Sequence, residues 1–262
     1  MNLQANQYSP VQYRELLFAW TSRIIKARYQ QSILGGLWAI LQPMATVLIF
    51  TVVFSFFLKV DTGNVPYIVF SYTAMVPWLL FSTSIIDMVE SIVTNMNLVS
   101  KIFFPREILV LSALLARLVD FAIAYVILII LMIIYQVAFT PLVMLYLPII
   151  ILCQVALAFG IGLLGAALNA FYRDIRHIIT LLLQLWLYAT PIIYPVTLVP
   201  EQLKSIYFLN PMAGVIEAYR SVMLYGTAPA PTFFISIAMA VLVLFLGLFV
   251  FKKVEVQFAD II

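Results

Sequence analysis

Charged side chains are scarce in this chain: Asp, Glu, Lys and Arg together make up 10% of its 262 residues, against 65% hydrophobic. An ordinary soluble domain carries roughly a quarter charged residues, so a soluble fold is excluded. Cys153 is the only cysteine, which rules out a disulfide framework and a cysteine metal site. His177 is the only histidine, and no second His, Cys pair or carboxylate cluster at ligand spacing accompanies it, so no metal site is expected. No G-x-x-x-x-G-K-S/T loop occurs, so the chain cannot bind and hydrolyse ATP by the P-loop route. The strained exposed turn that a Ser-His hydrolase needs is missing as well. The net charge of +3 is spread over scattered loop positions and forms no basic stripe for nucleic acid.

What fills the chain instead is apolar sequence. Six stretches, residues 37–58, 66–86, 108–137, 141–168, 178–194 and 233–251, approach or exceed the ~20 residues that a helix needs to cross a bilayer. Alternating barrel strands are absent, so the spans are helices. Nearly the whole chain, 1–262, is consumed by spans and connections, which predicts one all-α integral membrane domain. The polar N-terminal stretch does not read as a cleaved signal, so the first span is expected to stay. Arg14, Arg23, Lys26, Arg28, Lys101, Arg106, Arg173, Arg176, Lys252 and Lys253 fall on one side, and only Lys59, Lys204 and Arg220 on the other. The positive-inside bias then places both termini in the cytoplasm, in a multi-pass protein of the cytoplasmic (inner) membrane.

Within the spans a few residues stand out. Asp87 and Glu90 end span two, and Arg117 and Asp120 lie in span three; each pair is three residues apart and on one helix face. Intramembrane charges face protein or water, so these four predict a network between the two helices, with snorkelling of end-of-helix charges as the alternative. They lie near helix ends and not at the midplane, which argues against a proton-coupled carrier. Ala158, Gly162, Ala166 and Ala170 step by four along span four, with Gly160 and Gly165 beside them, a pattern for close helix packing. Whether the partner helix belongs to this chain or to a second copy stays open.

Three further segments are neither span nor simple loop. Tyr13, Leu16, Leu17, Trp20 and Ile24 form one face of an N-terminal amphipathic helix, with Arg14, Glu15, Arg23 and Lys26 on the others, as suits a helix lying on membrane lipids. Between spans two and three, Leu98, Val99, Ile102, Phe103 and Phe104 are too few to span and too apolar for a free loop, and Lys101 and Arg106 frame them. Pro105 ends the short helix there, which leaves a compact knob suited to a partner's cleft. Between spans five and six, Asn210 as N-cap, Pro211 at the first helical position, an apolar face of Met212, Val215, Ile216, Tyr219, Val222 and Met223, and Gly226 as stop predict a helix too short to cross. With the residues from Pro200 onward it forms a re-entrant helical hairpin, and Pro191 and Pro195 end span five before it.

The run from Leu98 to Leu109 (Leu-Val-Ser-Lys-Ile-Phe-Phe-Pro-Arg-Glu-Ile-Leu), then Asn169-Ala-Phe-Tyr-Arg-Asp-Ile-Arg176, Pro191-Ile-Ile-Tyr-Pro195 and Leu209-Asn-Pro-Met212, resembles the membrane subunit of type-2 ABC exporters that carry polysaccharides. The resemblance covers essentially the whole chain and is strongest to permeases for lipid-linked O-antigen, capsule and teichoic acid. It implies a homodimer joined to two separate ABC ATPase subunits, which hold the ATP and Mg; this chain has no cofactor of its own. It further implies that residues 97–106 are the ATPase-coupling helix, with Leu98, Lys101, Ile102, Phe103, Phe104, Pro105 and Arg106. Arg173, Asp174 and Arg176 match a cytoplasmic motif near the headgroups, and residues 200–225 form an outer gate that includes Asn210, Pro211 and Tyr219. A glycan needs a wet path with aromatic faces, for which Trp186, Tyr188 and Tyr194 are the candidates, with ordinary helix packing as the alternative reading. Competing cargoes are a small lipid or a drug, and the competing class is an ATP-independent channel or carrier.

Overall fold

An apolar helix in lipid satisfies its own backbone, so length and composition decide which segments can cross. The computed structural model describes residues 9–30, 35–102 and 104–260, and every regular element among them is helical. Helix α1 (Pro10–Gln30) precedes the first apolar run, which starts as a 3-10 turn at Gly35–Leu37, continues as α2 (Trp38–Phe50) and closes as a π-helix at Thr51–Phe57. Then follow α3 (Tyr67–Thr94), the single turn α4 (Met96–Val99), α5 (Glu107–Ile134), α6 (Leu142–Phe171) and α7 (Ile175–Ala189). Two shorter helices, α8 (Glu201–Tyr207) and α9 (Pro211–Met223), lead to α10 (Thr232–Val254) and a terminal 3-10 segment, Glu255–Asp260.

Five of these runs are long and apolar enough to cross a membrane: Gly35–Phe57, Tyr67–Thr94, Glu107–Ile134, Leu142–Phe171 and Thr232–Phe258. The sixth, α7, has 15 residues and reaches only ~22 Å of a ~30 Å hydrocarbon core. Span five is therefore shorter than the expected 178–194. The physical cause is Pro191, which drives Thr190 into an extended conformation (φ −109°, ψ 144°) and ends the helix at Ala189. Span two errs the other way, running on to Thr94 past its expected limit at residue 86.

Helix α3 is the centre of the bundle. Most of its residues are buried, from Tyr67 through Phe81 to Ile92, and it packs against α2, α5, α6, α7 and α9. The outer helix α10 buries only Phe233, Ser236, Ala240, Gly247 and Phe251, on the side that meets α6 and α9. α1 crosses α5, with Leu16 and Trp20 against the core, while Arg14, Glu15, Arg23 and Lys26 stay exposed as the periodicity predicts.

The small-residue row on α6 works inside this chain. A Cβ on Gly160 would sit 2.6 Å from the Val243 carbonyl oxygen of α10, and one on Gly247 would strike the Gly160 carbonyl oxygen in return. Gly162 and Gly165 face α3 instead, against Met88 and Val89. Two helices thus approach α6 on opposite flanks through glycine. Gly247→Ala should cost about 1–3 kcal/mol as a lowered Tm in detergent. Gly36→Ala, whose Cβ would have no neighbour nearer than 3.7 Å, should leave Tm unchanged.

Candidate functional site

Charge on an apolar helix is tolerated only where it is paired, and the basic end of the bundle shows how. Arg28 of α1 donates to Asp87 Oδ2 of α3 at 2.7 Å and to Asp120 Oδ2 of α5 at 2.7 Å. Arg117 of α5 donates to both Asp87 oxygens, at 2.7 and 3.0 Å, and to Asp120 Oδ2 at 3.0 Å. The Tyr29 hydroxyl donates to the remaining Asp120 oxygen. Two cations and two anions form a neutral quartet that ties three helices together, each side chain about a fifth to a quarter exposed. Burial, followed by the Asp120 hydrogen bond, pushes the Tyr29 phenol up to about 12, so it remains a donor at any physiological pH.

Asp87, Arg117 and Asp120 are thus joined as the sequence suggests, but Glu90 is not among them. It faces Arg176 at 3.8 Å, an exposed surface pair. Arg28 and Tyr29 are the members that the spans alone do not reveal. A signal did exist: two carboxylates and one guanidinium leave one negative charge, which required a further cation from outside the spans. Beside the quartet lies a cavity of about 110 Å³, lined by Arg28, Tyr29 and Asp120 together with Trp38, Pro43, Val76 and Phe121.

The segment after α3 hangs from it through Asn95, whose Nδ2 donates to the Ser91 carbonyl at 2.8 Å. Its apolar residues divide. Val99 and Phe104 are buried within the chain, Leu98 is half-buried, and Lys101 and Ile102 are exposed, Ile102 by 54%. The expectation that all of them need outside cover is therefore corrected: Val99 and Phe104 anchor the segment and Ile102 is its tip. Phe103 lies outside the described residues. Pro105 and Arg106 are half-buried, and the Arg106 guanidinium stacks on Phe258, 5.8 Å from the ring centre. Arg173, Asp174 and Arg176 are exposed at the α6–α7 junction, where the Arg176 amide donates to the buried Asn169 side chain at 3.3 Å. Among the described residues no group of His, Cys, Asp and Glu could hold a metal ion.

At the far end the problem is a helix that stops early. The last four carbonyls of α7 have no helical partner, and each finds another donor. Trp186 O accepts from the Thr190 hydroxyl at 2.8 Å, Leu187 O from the Thr190 amide at 3.3 Å, Tyr188 O from the Tyr194 hydroxyl at 3.2 Å, and Ala189 O from Asn210 Nδ2 at 3.1 Å. Asn210 is the hub. It caps α9 by accepting from the Met212 amide at 3.0 Å, accepts from Trp186 Nε1 at 2.8 Å, and donates to the Thr190 hydroxyl at 3.0 Å. The turn that follows is held by Tyr67, donating to Ile193 O at 2.6 Å, and by Arg220, donating to Ile192 O at 3.0 Å.

Arg220 enters the sequence reading only as one of three cations on the sparsely charged side. It is 1% exposed, bonded to Glu217 at 2.9 Å and stacked 3.6 Å over the Phe70 ring. Pro211 and Tyr219 are also buried, and Tyr219 donates to Gln154, which donates in turn to the Pro77 carbonyl. Trp186 packs edge-on against Phe81 at 5.3 Å. Of the aromatic candidates only Tyr188 turns its ring outward, 67% exposed; Trp186 and Tyr194 are engaged in holding the turn.

Residues 15–224 match the family described as ABC-2 type transporter. The chain is 31% identical over 252 residues to the O-antigen export system permease protein RfbA of Myxococcus xanthus, covering 95% of this chain and 96% of that protein. It is 28% identical to the O-antigen export system permease protein RfbA of Klebsiella pneumoniae, over 95% of each. It is also 28% identical to the polysialic acid transport protein KpsM of Escherichia coli, over 89% of this chain and 91% of that one.

Two substitutions test the geometry at the two ends. Arg28→Ala leaves the quartet with excess negative charge and should cost about 1–3 kcal/mol, seen as a lower Tm and as proteolysis between α1 and α2. Asn210→Ala removes four hydrogen bonds and should cost about 1–3 kcal/mol, while Asn210→Asp, which keeps the two accepted bonds, should lie between it and wild type.

Proposed function

The chain belongs to the ABC-2 type transporter family, and from that premise we propose that it is the membrane subunit of an ATP-driven exporter of lipid-linked polysaccharide. Its likeness to O-antigen and polysialic acid permeases, along nearly its whole length, supports that cargo class. The protein sits in the cytoplasmic membrane with its basic end inward, pairs with a second copy of itself and carries two cassette ATPase subunits, on which ATP and Mg are bound. Two copies supply two walls for the path, with Tyr188 as the aromatic that meets the sugar. The hairpin α8–α9 forms the outer gate.

The observation that carries the coupling role is the division of the segment after α3. Val99 and Phe104 fix it from within, and Lys101 and Ile102 are left to meet another protein. Nucleotide on the ATPase can shift the permease between inward and outward states only through a contact that differs between them. The exposed tip is that contact, and a push on it is delivered to α3 through Asn95 and to α5 through Glu107.

Ile102→Asp, with Lys101→Glu as a second variant, should reduce both the ATPase that copurifies with the permease and the glycan at the cell surface by about tenfold. Insertion of the permease should be intact, since Ile102 is outside the core. Wild-type export in both variants would contradict the assignment. Phe104→Asp is no substitute for this test, because it places a charge in the core.

A further inference from the structure

The terminal segment Glu255–Asp260 carries one residue out of keeping with its place. Its neighbour Val256 is 73% exposed, yet Phe258 is wholly buried. The Phe258 ring lies 5.6 Å from that of Phe251 on α10 and 5.9 Å from that of Phe171, the last residue of α6, and the Arg106 guanidinium covers it at 5.8 Å. Phe171 opens the loop with Arg173 and Asp174, and Arg106 closes the segment with Ile102. Phe258 is therefore wedged between the two connections at the basic end. A second clamp lies beside it: Lys252 bonds Glu107 at 2.8 Å and Glu255 at 3.2 Å, fastening the start of α5 to the end of α10.

We infer that the terminal segment is a brace for the ATPase-coupling surface, with Phe258 as the positioning residue that makes the 96–106 segment and the 172–174 loop move as one body. This rests on the coupling role proposed above. The segment at Ile102 has two mechanical supports. One is internal, through Asn95 at the end of α3 and the buried Val99 and Phe104; the other is Arg106 on Phe258 of the terminal segment, with Glu107 on Lys252 of α10 beside it. Without the second, displacement of the tip is absorbed by bending near Pro105 and does not reach α5. Coupling travels through packed elements with discrete arrangements, and residues along them modulate it without touching either ligand.

The test uses the permease co-expressed with its cassette ATPase, in cells lacking the native permease, with two readouts: ATPase retained on copurification, and the host's surface glycan by whole-cell labelling. Phe258→Ala should retain ATPase at the wild-type level while surface glycan falls about threefold or more. Lys252→Met should act in the same direction, and Lys252→Arg should restore export. Wild-type glycan in Phe258→Ala overturns the brace. Should Phe258→Ala fail to accumulate, Lys252→Met decides, since Lys252 is half-exposed and its loss spares the core; wild-type export there overturns the brace as well. Ile102→Asp in the same experiment separates the two ideas. If it keeps both ATPase and export, the coupling role itself has failed; if it loses them while Phe258→Ala exports normally, only the brace has.

Discussion

Two arginines and two aspartates in mutual contact let this bundle carry charge on helices that are otherwise built for lipid. A single carboxylate at Asp87 or Asp120 would be strongly disfavoured beside so much apolar surface, and so would an unpaired Arg117. Set together with Arg28 they are neutral, and each side chain is paired with at least one partner on another helix. That neutrality allows α3 to continue as helix to Thr94, and the segment bearing Ile102 hangs from that extension. It also fixes α1 on the bundle, so that the basic end is one assembly of α1, α3 and α5.

The far end obeys the same rule with hydrogen bonds in place of ion pairs. A helix that stops at Ala189 exposes four carbonyls, and Thr190, Tyr194 and Asn210 satisfy them. Arg220 and Tyr67 hold the turn beyond. Since Asn210 also caps α9, the end of α7 and the start of α9 are tied to each other. Gln154, bonded to Pro77 and Tyr219, links both to the middle of α3. Polar contacts that lipid cannot replace thus join α3 to the end of α7 and to α9.

Much of this was legible in the sequence. Asn210-Pro211 and Gly226 marked α9 correctly, because cap chemistry is local. The apolar face of α1 and the close packing at Gly160, Gly162 and Gly165 were likewise set by spacing. What composition could not supply was partnership across the chain. In the sequence span two stops at residue 86 because Asp87 ends the apolar run, and nothing local says that Arg28, 59 residues away, neutralises it. Arg220 reads only as a far-side cation for the same reason, since its burial depends on Phe70 and Ile192. By composition Phe104 is indistinguishable from Ile102, and only the fold sends one inward and the other out.

Under the proposed function, this chain moves cargo only when force is applied from outside, at its basic end. The direct measurement is uptake of lipid-linked glycan into the lumen of vesicles reconstituted with the permease alone or with its cassette ATPase, with ATP supplied outside. Accumulation against a gradient is expected only when both subunits and ATP are present. Sustained uphill accumulation by the permease alone would contradict it.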